Sequence, residues 1–179
     1  MLRLFVGIEF PPELKLRLSL LCTGALPGAR WVDPGNLHLT LRFIGEISES
    51  QAADVDEALA RLKARPFTLQ LAGAGVFGGN RPHALWVGVE RDAGLVKLRD
   101  KVEQALIRTG LPPEQRKFAP HVTLARLRDA APQQLGAFLA AHARFRADPL
   151  PVDRFNLIAS FPTKSGSVYE DQAEYPLTG

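Results

Sequence analysis

His38-Leu39-Thr40-Leu41 returns as His121-Val122-Thr123-Leu124, an offset of 83 residues. Seven threonines and four histidines in 179 residues make two accidental His-x-Thr pairs roughly a one in a hundred event. Both copies lie in apolar, β-favouring surroundings, Leu37 to Ile44 and His121 to Leu127. Residues i and i+2 of a strand share a face, so each copy sets an imidazole beside a hydroxyl. Two such strands brought together supply two titratable rings and two hydroxyl donors around one small volume, a constellation suited to a phosphate.

Working outward, the flanking sequence is duplicated too. Leu4-Phe5-Val6-Gly7-Ile8-Glu9 is echoed by Leu85-Trp86-Val87-Gly88-Val89-Glu90 at an offset of 81 residues. The first half reads as a strand (Leu2 to Phe10), then a helix opened by Pro11-Pro12-Glu13 with Leu14, Leu18 and Leu21 at helical spacing. A turn at Asp33-Pro34-Gly35-Asn36 leads into the first motif strand. Ser48 with Gln51 forms a capping box for a second helix striped by Val55, Leu59 and Leu62, and Phe67 to Leu71 alternates as a closing strand. The second half repeats this order. A strand at Ala84 to Val89 precedes a helix with Leu95, Leu98, Val102 and Leu106, stopped by Gly110 and Pro112-Pro113. The second motif strand, a helix opened by Pro132 and a strand at Phe155 to Ser160 follow. The tail, with Lys164-Ser165-Gly166-Ser167 as a turn and Tyr169 beyond, adds a hairpin.

This order predicts an α+β fold: a single bilobal domain over residues 1–179 with approximate internal repeats 1–80 and 81–179. Each of its two pseudo-symmetric lobes is a mostly antiparallel sheet backed by helices. A pseudo-twofold axis between the halves brings His38 and His121 together across a central cleft. Because the duplicated halves complete one cleft, the chain is expected to be a monomer.

Gly73-Ala74-Gly75-Val76-Phe77-Gly78 spells the dinucleotide fingerprint G-x-G-x-x-G. That fingerprint needs a helix N-terminus to receive a pyrophosphate, and here Gly79-Asn80-Arg81-Pro82 leads into another strand. The glycines are expected to make a hairpin or a bulged connection instead.

Composition excludes several classes. Apolar residues are 46% and charged residues 23%, which places the chain among ordinary globular proteins rather than disordered ones. No stretch approaches the ~20 apolar residues of a membrane-spanning helix, and the short apolar run at the N-terminus is cut by Glu9. A cytoplasmic location without membrane contact is expected. The single cysteine, Cys22, excludes an intramolecular disulfide and a Cys-rich zinc site; in its leucine-rich segment it reads as a buried small hydrophobe. A formal charge of +3 and a pI near 9.3 accommodate an anionic partner such as nucleic acid or a nucleotide without demanding one.

Two imidazoles at one phosphate suit concerted acid–base catalysis. A neutral ring takes a proton from the attacking oxygen while a protonated ring gives one to the leaving oxygen. Histidine serves both roles because its ordinary pKa of ~6.5 keeps each form accessible near neutrality. Thr40 and Thr123 donate to non-bridging oxygens and stabilise developing charge. This chemistry requires neither metal nor other cofactor, and two histidines without a carboxylate or cysteine at ligand spacing make a poor metal site.

Other candidates are weaker. His83, in a loop after Pro82, and His142, on a helix stripe, lack a threonine partner and are not assigned to catalysis. Simple alternation puts Arg42 on the face of His38 and Thr40, where it either reaches an anion or is a solvated edge charge. The same alternation puts Arg126 off the face of His121 unless a bulge intervenes. Phe43, Phe77 and Trp86 are candidates to stack on a base, although their strand settings also suit packing.

The two H-x-T-x motifs resemble the 2H phosphoesterase superfamily. Phe43-Ile44-Gly45-Glu46, the run Arg81 to Val89, Pro120, Ala125-Arg126 and the tail from Ser160 through Gly166 to Tyr169 extend the likeness to the bacterial and archaeal RNA 2',3'-cyclic phosphodiesterases, long called 2'-5' RNA ligases. The resemblance covers essentially the whole chain. It implies hydrolysis of RNA 2',3'-cyclic phosphate ends to 2'-phosphomonoesters in a positively lined cleft. His38 would be the proton donor and His121 the proton acceptor, with Arg126 near the phosphate; the near-identical motifs do not by themselves divide the two roles. The alternatives are 2'-5' RNA ligation, which is the reverse reaction with an RNA hydroxyl in place of water, and a non-catalytic nucleotide-binding module.

Overall fold

The computed structural model describes residues 1–179. In chain order its elements are β1 (Leu2–Glu9), α1 (Pro12–Ser19), β2 (Ala29–Trp31), a 3-10 turn (Pro34–Asn36), β3 (His38–Ile47), α2 (Glu49–Ala60), β4 (Phe67–Leu69) and β5 (Leu71–Phe77). They continue with β6 (Ala84–Val89), α3 (Ala93–Arg108), β7 (His121–Leu127), α4 (Pro132–His142), β8 (Leu150–Val152), β9 (Arg154–Thr163) and β10 (Gly166–Pro176). The local signals act as expected. Pro12 and Pro132 open α1 and α4, and the Ser48 hydroxyl accepts from the Gln51 N–H while the Gln51 side chain accepts from the Ser48 N–H. The stripes Val55–Leu59 and Leu95–Leu98–Val102–Leu106 are buried. No helix is long and apolar enough to cross a membrane.

The α+β expectation holds, with two four-stranded antiparallel sheets in the orders β10-β9-β1-β3 and β2-β7-β6-β5. The path between them is less simple than two self-contained halves. β5, which the sequence places at the end of the first half, pairs with β6 in the second sheet, while β9, from the end of the second half, pairs with β1 in the first. Each half therefore gives two strands to the other's sheet, β2 and β5 from the first and β9 and β10 from the second. β4 and β8 form a separate two-stranded ribbon. One apolar cluster, with Leu4, Val6, Leu39 and Leu41 from one sheet and Val87, Val122 and Leu124 from the other, runs continuously through both. Each of its buried aliphatic side chains contributes on the order of 1.5–3 kcal/mol. Cys22 packs half-buried against this cluster, and burial pushes its thiol up to about 11.

The glycine-rich stretch is β5 followed by a hairpin into β6, with a bulge between Leu71 and Ala74; no helix follows it. Gly75 is required there, because a Cβ would lie 2.4 Å from the Trp86 indole. The tail forms the β9–β10 hairpin as anticipated.

Bulges in the motif strands decide which side chains face outward. In the β1–β3 ladder Gly7 stands opposite Thr40 but Val6 opposite Arg42, so Leu41 is the extra residue. In the β6–β7 ladder Trp86 stands opposite Thr123 but Leu85 opposite Ala125, so Leu124 is the extra residue. After each bulge the alternation is inverted. Leu41 and Arg42 are both buried, as are Leu124 and Ala125, and the next residue, Phe43 or Arg126, returns to the face of the histidine.

Candidate active site

His38 and Thr40 from β3 and His121 and Thr123 from β7 line one cleft of about 880 Å³. The structure thus brings together the four residues that the sequence paired. Each ring is fixed the same way. His38 Nδ1 lies 2.6 Å from the Asn36 carbonyl oxygen and His121 Nδ1 lies 2.7 Å from that of Ala119. A carbonyl only accepts, so Nδ1 carries the proton in both rings and Nε2 is the basic nitrogen. Both carbonyls belong to the residue two before the histidine, on the segments leading into β3 and β7.

The two Nε2 atoms differ. His38 Nε2 accepts from the Thr40 hydroxyl at 2.7 Å, while His121 Nε2 has no protein partner. Their surroundings differ as well. The His38 ring sits between Phe5, at 4.7 Å, and Tyr169, at 5.3 Å and edge-on. Burial lowers its pKa to about 4, against the opposing Asn36 hydrogen bond, with Lys15, His121 and Arg126 adding repulsion. The less enclosed His121 meets Phe77 edge-on at 4.7 Å and Trp86 at 6.4 Å, and burial and Arg126 lower its pKa also.

Arg126 lines the cleft and acts electrostatically on both rings. The bulge at Leu124 supplies the departure from alternation that the sequence required. The corresponding bulge at Leu41 overturns both readings of Arg42, which neither reaches toward an anion nor is solvated. Arg42 is buried, donating through Nε to Glu103 at 2.6 Å and through its terminal nitrogens to the carbonyls of Phe43 and Pro112, each at 2.5 Å. Burial raises the Glu103 carboxyl, but the Glu114 backbone N–H and Arg42 together hold it below its ordinary value. This buried pair ties β3 to the segment that leads into His121.

Of the three aromatic candidates, Phe43 and Phe77 line the cleft, and Trp86 packs behind them on Phe77 and His121. His83, set aside on sequence grounds, lies exposed on the cleft lining, whereas His142 stacks on Phe138 outside it. Phe5, Tyr169, Arg3 and Arg99 were not singled out from the sequence as cleft residues. No group of three His, Cys, Asp or Glu side chains gathers at metal-binding spacing.

Comparison with known proteins agrees with this geometry. The family model of the 2'-5' RNA ligase superfamily matches residues 17–160. The chain is 38% identical over 159 residues to the RNA 2',3'-cyclic phosphodiesterase of Aeropyrum pernix, covering 87% of this chain and 89% of that protein. It is 32% identical over 189 residues to the protein of the same name from Aquifex aeolicus, covering 99% and 98%. Among solved structures, E. coli LigT complexed with 3'-AMP superimposes with a TM-score of 0.81 at 29% identity, covering 99% of each chain. With both histidine motifs facing one cleft and relatives of this kind along its length, the chain belongs to the 2'-5' RNA ligase superfamily.

Proposed function

We propose that the protein hydrolyses RNA 2',3'-cyclic phosphate ends to 2'-phosphomonoesters by two-histidine acid–base catalysis. The observation that carries this is the matched tethering of two imidazoles by Nδ1 to backbone carbonyls, which leaves two Nε2 atoms and two threonine hydroxyls at one cleft. His121 Nε2, with a free lone pair, takes a proton from water as the water oxygen bonds to phosphorus. The bond from phosphorus to the ribose 3'-oxygen breaks, and His38 Nε2–H gives its proton to that oxygen. Thr40 and Thr123 donate to the non-bridging oxygens, and Arg126 offsets their charge. Relatives named for this activity, at up to 38% identity, support the assignment.

The test is incubation with an RNA oligonucleotide ending in a 2',3'-cyclic phosphate, in the presence of chelator, with the position of the product phosphate determined across pH. A 2'-phosphate with a bell-shaped pH profile, lost in His38→Ala and in His121→Ala, is the expected result. No product from the wild type refutes hydrolysis. Joined strands appearing only when a 5'-hydroxyl RNA is added would favour ligation, and affinity without turnover would favour a binding module.

A further inference from the structure

The two motif strands present the same His and Thr to the cleft until the position after the bulge, where one carries Arg126 and the other Phe43. Phe43 is 38% exposed on the cleft lining, and the Arg3 guanidinium lies 5.4 Å from its ring centre. A second such stack faces the same cleft from the other sheet's side: the Arg99 guanidinium lies 5.4 Å from the centre of Phe118. Both stacks line the same cleft and are linked through one buried ion pair. Arg99 is one helical turn before Glu103, Glu103 pairs with Arg42, and Arg42 is the chain neighbour of Phe43.

These two guanidinium groups are under-committed. Arg3 has no carboxylate at ion-pair distance. Arg99 is 15% exposed, its only carboxylate within ion-pair distance is the adjacent Asp100 at 3.6 Å while it also acts electrostatically on Glu103, and its buried Nε has no acceptor. A buried N–H without an acceptor is costly. Lys117 adds a further cation between Phe118 and Arg116. The reacting phosphate already has His38, His121, the threonines and Arg126. Arginines laid on aromatic rings suit a second phosphate, which the guanidinium forks bind in bidentate fashion, with an adjacent nucleoside held on the rings.

We propose that Arg3 and Arg99, with Phe43 and Phe118, form a subsite for the phosphodiester on the 5' side of the reacting ribose. The protein then recognises an RNA chain end rather than a mononucleoside cyclic phosphate. This rests on the hydrolytic reading above.

The experiment compares kcat/KM for three substrates: a nucleoside 2',3'-cyclic phosphate, a dinucleotide ending in the same group, and that dinucleotide with its linkage replaced by an uncharged methylphosphonate. The charged dinucleotide should exceed the methylphosphonate by about tenfold or more, as charge-assisted hydrogen bonds require. In Arg3→Met and in Arg99→Met that ratio should fall toward one through KM, and the slope of log kcat/KM against log salt should flatten by roughly one per arginine. Arg3 is exposed, so its substitution leaves the core intact. Equal kcat/KM for the charged and uncharged dinucleotides in the wild type, or an undiminished ratio in both variants, overturns the subsite. Failure to hydrolyse any of the three refutes the hydrolytic reading instead.

Discussion

His38 must hold a proton to act as an acid, yet in the free protein its pKa is lowered to about 4. That displacement from 6.5 corresponds to about 3 kcal/mol against the charged ring. A single anionic charge about 4 Å away, at an effective dielectric near 20, returns about 4 kcal/mol, or about three pKa units. Anion binding should therefore carry His38 from about 4 to near 7. Sulfate is the suitable probe because it does not titrate in this window. Nuclear magnetic resonance titration of the imidazole carbon-bound protons, assigned with His38→Gln, reads the shift directly. Linkage requires sulfate affinity to strengthen up to about tenfold per pH unit as pH falls from about 7 to about 4, then to level off. A His38 pKa above about 6 without anion, or a rise of less than about one unit at saturating sulfate, would refute the argument that the substrate itself arms the acid.

The same shift has a consequence for stability. Its sign follows from the depressed pKa: between pH 6.5 and about 4 the unfolded chain binds a proton that folded His38 refuses, so stability falls with pH across this window and is unaffected above it. Urea unfolding at pH 7 and pH 4.5 should show the acid-induced loss reduced in His38→Gln by about 2–3 kcal/mol. Arg42→Met, which strands Glu103 in the interior, should cost about 3–5 kcal/mol in denaturant unfolding, and the double variant Arg42→Met/Glu103→Leu should recover most of it. Thr123→Val, which removes a hydroxyl at the cleft and nothing from the core, should lower kcat about 10²–10³-fold with the unfolding midpoint unchanged. Gly75→Ala should disturb the Trp86 indole and cost about 1–3 kcal/mol, seen as a shift in tryptophan fluorescence and a lower midpoint.

Much of this molecule is legible in its sequence because the signals are local and repeated. Prolines at helix starts, the Ser48–Gln51 box and the leucine stripes act within a turn or two of themselves, and the motif pair is a period-two pattern read from adjacent residues. Three features escaped for physical reasons. The crossing of β5 and β9 between sheets is a long-range choice that leaves the order of elements unchanged. The anchors of the two rings are main-chain carbonyls of Asn36 and Ala119, which any side chain at those positions supplies equally. The bulges at Leu41 and Leu124 have no side-chain signature, yet each inverts the alternation, one burying Arg42 and exposing Phe43, the other burying Ala125 and exposing Arg126. Arg42 fails as a candidate for that reason, and Arg126 enters by the same device.

The duplication raises a mechanistic question, since two identical motifs would give two identical rings and acid–base catalysis requires a division of labour. The division is supplied by what surrounds the motifs. His38 lies against Phe5 and Tyr169 with its basic nitrogen already engaged by Thr40. His121, with Nε2 open to the cleft, meets no hydroxyl at hydrogen-bond distance. In the resting state the lone pair ready to accept a proton from water is therefore that of His121. The ring whose charged form gains most from a bound anion is the more buried His38. This division of labour is asymmetric under perturbation. Phe5→Leu, which thins the wall around His38, should raise that ring's pKa in the substrate complex and move the basic limb of the kcat profile upward, while Phe77→Leu should move only the acidic limb, set by His121. If both substitutions move the same limb, the assignment of acid and base to the two motifs is wrong.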